Sequence, residues 1–311
     1  MLPLFDRRLL VVTGKGGTGK TTVVAALSQA AAARGLRTLA IETGRSARIP
    51  RLFGHAAAEP GSAPQRLAPR LETLRIEPHA ALREYLQLTL PAAGWVGRIL
   101  DVPGFRTWLD AVPGWRELIT LGKVWHLAQQ TIGTGPRYEL LVVDAPATGH
   151  GLTFLDVPSV TVSAVRAGPL RRHASAVEEM LRDPEHTLIV PVTLPEETPT
   201  SETLELVARL RDDLGVSVDR ILVNALEADP LAAWPGLEDA LARSDDAAAR
   251  CTAACAAHFR IRHALQSHQV ERLAEHAGLP LTPLPRLAGG VSDAADLATL
   301  GRAVLDAEAA A

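Results

Sequence analysis

Apolar, largely β-branched runs recur along the chain at RLLVVT (8–13), RTLAIE (37–42), ELLVVDA (139–145), TLIVPVT (187–193) and RILVNAL (220–226). Runs that are apolar at nearly every position predict strands covered on both faces, as in parallel sheets. Helix-like segments separate them. TTVVAALSQAAAARG (21–35) has an alanine-rich body that favours helix and ends at Gly35. Residues from about 236 to 277 predict one or two long helices, and LPLTPLP (279–285) a last short strand and loop. The rhythm breaks in two places. HAAAEPGSAPQRLAPR (55–70) has loop composition, and the stretch from about 79 to 131 has helical spacing, several prolines and four of the five tryptophans. The pattern predicts one α/β domain over residues 1–311, a mostly parallel sheet between two helical layers, with a helical insertion over approximately 79–131.

The first strand runs into GKGGTGKTT, in which Gly14, Gly19, Lys20 and Thr21 satisfy G-x-x-x-x-G-K-[ST] between a strand and a helix. Glycines let backbone N–H groups of Gly14, Lys15, Gly16, Gly17, Thr18, Gly19, Lys20, Thr21 and Thr22 turn onto phosphate oxygens. Lys20 would reach the β and γ phosphates, and the Thr21 hydroxyl would ligate Mg²⁺. The motif therefore specifies ATP or GTP, and places the chain in the three-layer P-loop NTPase fold class. A second carboxylate stands at the end of another apolar run. In VVDAPATGHG (142–151), Asp144 would hold the hydration shell of Mg²⁺; a strand-end aspartate can also simply cap a helix.

Bulk composition narrows the partners. A hydrophobic fraction of 47% supports a sizeable core, and a net charge of −3 gives no basic surface for nucleic acid. Without a signal-like start or a long apolar span, the expected location is the cytoplasm. Two cysteines, Cys251 and Cys255, are too few for a disulfide scaffold.

Lys15 is a second lysine within the loop. The form K-G-G-x-G-K-[ST] resembles the deviant phosphate loop of the MinD, ParA, nitrogenase-iron-protein and arsenite-pump ATPases. DAPATGHG is similar to the D-T-A-P-T-G-H switch of the arsenite-pump ATPases and of the ATPase that delivers tail-anchored membrane proteins. PGWRE (113–117), Asn224 in LVNAL and PLPRLAGG (283–290) agree with that family, most of all with its bacterial members. The resemblance implies a Mg²⁺-dependent ATPase working as a homodimer or as a heterodimer with a paralogue. Lys15 would reach the other subunit's nucleotide, and Lys15, Lys20 and Asp144 would form the catalytic set. Asn224 would contact adenine, with Pro283, Leu284 and Pro285 on its other side. Asn224 has a second reading, as an amide that closes a strand end.

Departures from the family pattern matter as much. Relatives carry an aspartate in a first switch after the second strand, taken to orient or deprotonate the attacking water, a contribution of about 10²- to 10⁴-fold. The corresponding run is IETGRSARI (41–49), with Gly44 at that position. Hydrolysis is then expected to be slow unless a partner completes the site. Glu42 either substitutes or is a buried structural carboxylate, and Arg45 either meets a phosphate or is solvated. Cys251 and Cys255 exclude a three-thiolate arsenite site within one subunit. With His258 they share a helical face, so a pair from each protomer is a second metal candidate; C-x-x-x-C in an alanine-rich helix equally describes inert cysteines, and zinc is not the expected cofactor. The insertion, with Trp95, Trp108, Trp115 and Trp125, is either a client-binding module or ordinary helix packing. Two functions follow: an ATPase whose closure acts on a protein client, a membrane partner or a ligand, or a regulatory subunit that holds ATP and pairs with an active paralogue.

Overall fold

A computed structural model of the chain describes residues 3–44, 46–59, 61, 63–89, 102–229, 232–234 and 236–309. Arg45 and Trp95, and the part of the insertion between 90 and 101, lie outside the described residues, as do the side chains of Thr148, Gly149 and His150.

Five apolar runs become strands. β1 (Leu9–Thr13), β2 (Thr38–Glu42), β7 (Leu140–Asp144), β8 (Thr187–Thr193) and β9 (Ile221–Leu226) form the body of one sheet, and β10 (Leu281–Pro285) adds an edge. Successive residues point to opposite faces, so each strand feeds two cores. Leu9 and Val11 of β1 enter one apolar cluster and Leu10 and Val12 the other, as do Leu141 and Val143 against Leu140 and Val142 of β7. Each such side chain, removed from water, contributes about 1.5–3 kcal/mol.

The loop expected at 55–70 is corrected at its C-terminal end. β3 (Gln65–Ala68) and β4 (Leu71–Arg75) form a hairpin, antiparallel within itself, with β4 parallel to β2. Leu71 feeds one core and Leu74 the other, with Thr73 buried and Glu72 half-exposed between them, so β4 is covered on both faces like the strands beside it. Arg70 makes the turn with φ of 60°, a conformation usually left to glycine or asparagine. The sheet order is β10-β9-β8-β1-β7-β2-β4-β3, and every pairing but the last is parallel.

Helices cover both faces. α1 (Lys20–Ala33) packs beside the C-terminal helix α11 (Ala294–Ala309), where a Cβ at Gly301 would press closely on Ala26 and Ala30. On the other face lie α5 (Trp115–Gln129), α6 (Thr148–Ala164), α7 (Pro169–Arg182) and α8 (Glu197–Asp212). The short α2 (Ile49–Leu52) follows β2. The expected insertion contains most of α3 (Pro78–Thr89), all of α4 (Pro103–Asp110) and α5, and a two-residue pairing of β5 (Thr131–Ile132) with β6 (Gly135–Pro136) follows. The expected helices of 236–277 are α9 (Leu237–Ala242) and α10 (Ala247–Ala277). The result is a three-layer α/β arrangement. The chain crosses from β1 over β7 to β2, and β1 also borders β8, so the order reverses at β1. In open parallel sheets the crevice beyond the strand ends at such a reversal is where ligands bind.

Candidate functional site: the strand ends at Lys20, Thr21 and Asp144

The phosphate loop spans the end of β1 and the start of α1. Gly14 has φ of 142° and backs onto the Val192 carbonyl of β8, where a Cβ would collide. Gly19, with φ of 88°, is the residue before α1, and a Cβ there would strike the Asn224 amide. These two positions require glycine on both counts. Thr18 is buried and its Oγ1 donates to the Lys15 carbonyl at 3.0 Å, closing the turn. Gly16 and Gly17 are exposed at the crest, Gly16 facing Ala147 across from the Asp144 switch, and Thr22 is half-buried in the first turn of α1.

The loop converges with Asp144. Thr21 Oγ1 donates to Asp144 Oδ2 at 2.6 Å, and Lys20 Nζ donates to the Lys15 carbonyl at 2.8 Å, folded over the loop's inner side. Burial holds the Lys20 ammonium below its usual range against the opposing pull of Asp144. Burial pushes the Asp144 carboxyl up, while the Thr21 hydrogen bond and the charges of Lys20 and Arg48 act against it. Both charged forms are thus held short of solvation, which a hydrated cation and a phosphate would restore. A cavity of about 300 Å³ opens here, lined by Lys20, Thr21, Glu42, Thr43, Gly44 and Asp144 among others. One hydroxyl, one or two carboxylates and room for phosphate oxygens make the donor set Mg²⁺ favours, since that ion keeps several waters and leans on substrate phosphates.

Three features escaped the sequence reading. Thr43 Oγ1 donates to the Asp144 backbone carbonyl at 2.7 Å, tying the two strand ends together. Lys15 Nζ is paired within the chain, donating to Glu202 Oε1 of α8 at 2.6 Å, with both side chains about one-third exposed. Arg48, at the start of α2, lines the cavity and acts on Asp144 through its charge. Nothing local signals the Lys15 pair, because Glu202 lies 187 residues away.

Other expected site residues are placed as follows. Asn224, on β9, donates Nδ2 to the Thr18 carbonyl at 2.8 Å, so its amide braces the phosphate loop. Pro283 stands next to Val223 in the β9–β10 pairing, while Leu284 is buried in the core and Pro283 and Pro285 are exposed. PGWRE begins α5, with Gly114 packed against Val157 of α6, the helix that follows the Asp144 switch. Cys251 and Cys255 are both free and exposed on α10, and among the described residues no group of three His, Cys, Asp or Glu side chains is arranged for a metal. Among the described residues no helix is long and apolar enough to cross a membrane.

A parallel sheet with a glycine loop on its reversal strand, feeding a helix whose first residues are lysine and threonine, defines an α/β protein of the P-loop NTPase fold. The anion-transporting ATPase family model matches residues 7–175, and the chain belongs to that family. ATPase BagA of Mycobacterium tuberculosis is 33% identical over 230 residues, covering 70% of this chain and 64% of that protein. An arsenical pump-driving ATPase of Acidiphilium multivorum is 27% identical over 267 residues, 75% of this chain and 43% of the relative. ATPase GET3 of Kluyveromyces lactis is 26% identical over 253 residues, 70% of this chain and 72% of the relative. The match spans 64% of the length of the mycobacterial relatives.

Proposed function

We propose that the chain is a Mg²⁺- and ATP-binding subunit of a dimeric ATPase in which nucleotide-driven closure acts on a protein client or ligand, in the cytoplasm. The observation that carries this reading is the Thr21–Asp144 hydrogen bond under the phosphate loop, with Lys20 folded beside it. In this reading the backbone N–H groups from Gly14 to Thr22 cradle the phosphates. Lys20 leaves the Lys15 carbonyl for the phosphate oxygens, whose negative charge offsets the burial of its cationic head. Thr21 would hold Mg²⁺ through its hydroxyl and Asp144 through water; the ion supplies neutralisation of phosphate charge. Asn224 keeps Nδ2 on the loop and has Oδ1 to accept from the adenine amino group.

Lys15 would serve the neighbouring subunit. Its bond to Glu202 is partly exposed, and such pairs contribute only about 0–1 kcal/mol, so release towards a second nucleotide is cheap. The name of one relative, an arsenical pump-driving ATPase, supports coupling of the nucleotide to work on a ligand or partner. An apolar cavity of about 380 Å³ between α3, α5 and α7, lined by Tyr85, Leu118, Trp125 and His173 among others, is a place for a few client side chains.

A second reading rests on Gly44. That position carries no carboxylate and has open space around it, which favours a subunit that binds ATP but turns it over slowly and relies on an active paralogue. Sedimentation and single-turnover hydrolysis of the purified chain separate the two. ATP-dependent dimers with hydrolysis at rates usual for the family support the first reading; ATP binding without turnover supports the second. No ATP binding at all would sink both.

A further inference from the structure

Glu42 closes β2 and is register partner to Asp144 on β7, so two carboxylates stand side by side at the ends of neighbouring strands. Its two oxygens have different fates. Oε1 accepts from the backbone N–H of Arg48 at 2.6 Å and of Ile49 at 3.1 Å, which fixes the start of α2. Oε2 is buried, in a residue only 2% exposed, and has no hydrogen-bond partner among the described residues. An acidic oxygen left in that state is expensive, and native structures reserve such groups for ligands, ions or water. The residue lines the same cavity as Lys20, Thr21 and Asp144. A cation between the two carboxylates would remove both their mutual repulsion and the cost of their burial. The helix cap accounts for Oε1, and the charge of Arg75 also acts on the carboxyl, but no described group hydrogen-bonds Oε2.

We propose that Glu42 Oε2 is an outer-shell acceptor for Mg²⁺-bound water, making Glu42 a positioning residue that ties the nucleotide's metal to the start of α2. This rests on the nucleotide reading above. The role differs from that of a water-activating base at Gly44, because it concerns how tightly and where the metal sits. It also links the metal to the 43–48 segment, since the same carboxylate grips both.

The test is a titration of Mn²⁺ into the whole protein loaded with a non-hydrolysable ATP analogue, with free Mn²⁺ read by electron paramagnetic resonance. Glu42→Gln keeps an amide oxygen for the N–H groups of Arg48 and Ile49 and removes the charge facing the cavity. It should weaken Mn²⁺ binding by about 10-fold or more, with melting of the metal-free protein not lowered and nucleotide affinity in EDTA not reduced. Mn²⁺ affinity equal to wild type in Glu42→Gln, with Asp144→Asn impaired, would overturn the proposal and leave the nucleotide reading intact. Wild type that holds the nucleotide analogue but shows no Mn²⁺ site overturns the metal assignment as a whole. Failure to bind nucleotide overturns the phosphate-loop reading beneath it. Glu42→Ser, neutral and too short to reach the cavity, is the second variant should Glu42→Gln not fold; it is expected to lose Mn²⁺ affinity to the same extent.

Discussion

The strand ends around Lys20 and the helical layer around Trp125 are built on different principles. At the strand ends polar atoms are placed by backbone: Thr21 meets Asp144 because the glycine loop after β1 starts α1 beside the end of β7, the strand paired with β1, where Asp144 stands. In the helical layer, tryptophans have no such fixed geometry. Trp115 is buried, Trp125 packs half-buried against the core and Trp108 is 62% exposed. Backbone-anchored polar geometry specifies chemistry from a few residues of spacing, whereas apolar packing can satisfy the same burial in many ways. The difference predicts that changes in the two regions will separate stability from binding.

The largest effect belongs to the apolar layer. Phe154 on α6 is 1% exposed, and Phe154→Ala should lower unfolding free energy by about 3–5 kcal/mol in urea denaturation. A loss below about 1 kcal/mol would mean that α6 is not held by its core contacts. Lys20→Ala, at the polar end, should do the reverse. Affinity for Mg-ATP should fall about 10- to 100-fold by calorimetry, while the ligand-free protein keeps or gains stability by shedding a partly desolvated cation. Equal affinities would remove the phosphate loop from the account.

The pH response is a smaller effect and its sign is fixed. Asp144 and Glu42 have folded pKa values raised above their ordinary 3.8 and 4.5, by burial in both cases. Folding therefore binds their protons more tightly, and the contribution is fully present below those ordinary values and lost as pH rises through the folded ones. In melting scans without nucleotide, Asp144→Asn and Glu42→Gln should flatten that decline with rising pH, and an unchanged slope would argue against the burial. Smallest is Glu202→Gln, which frees Lys15. Stability should change by no more than about 0.5 kcal/mol, and ATP-dependent dimers, if Lys15 serves a second subunit, should form at the same or lower protein concentration.

What could be read in the sequence follows the same division. The apolar runs marked β1, β2, β7, β8 and β9, and the glycine and lysine spacing marked the loop, because both depend on neighbours within a few residues. The β3–β4 hairpin was hidden in a stretch rich in alanine and proline, and its turn at Arg70 lacks the glycine that usually announces one. The Asn224 brace on Thr18 spans 206 residues and the Lys15–Glu202 pair 187, so no local pattern contains them. Glu42 stood in view as an acid beside a missing aspartate. Only the fold shows that one of its oxygens caps α2 while the other, in the strand-end residue paired with Asp144, is buried without a hydrogen-bond partner among the described residues.

The most direct test of the central claim is a titration of the purified chain with ATP, once with Mg²⁺ and once with EDTA, followed by calorimetry. A Mg²⁺- and nucleotide-binding site at Lys20, Thr21 and Asp144 predicts saturable binding of one ATP per chain that weakens when the metal is removed. Absence of saturable binding, or binding indifferent to both Mg²⁺ and the Thr21→Ala substitution, would contradict it.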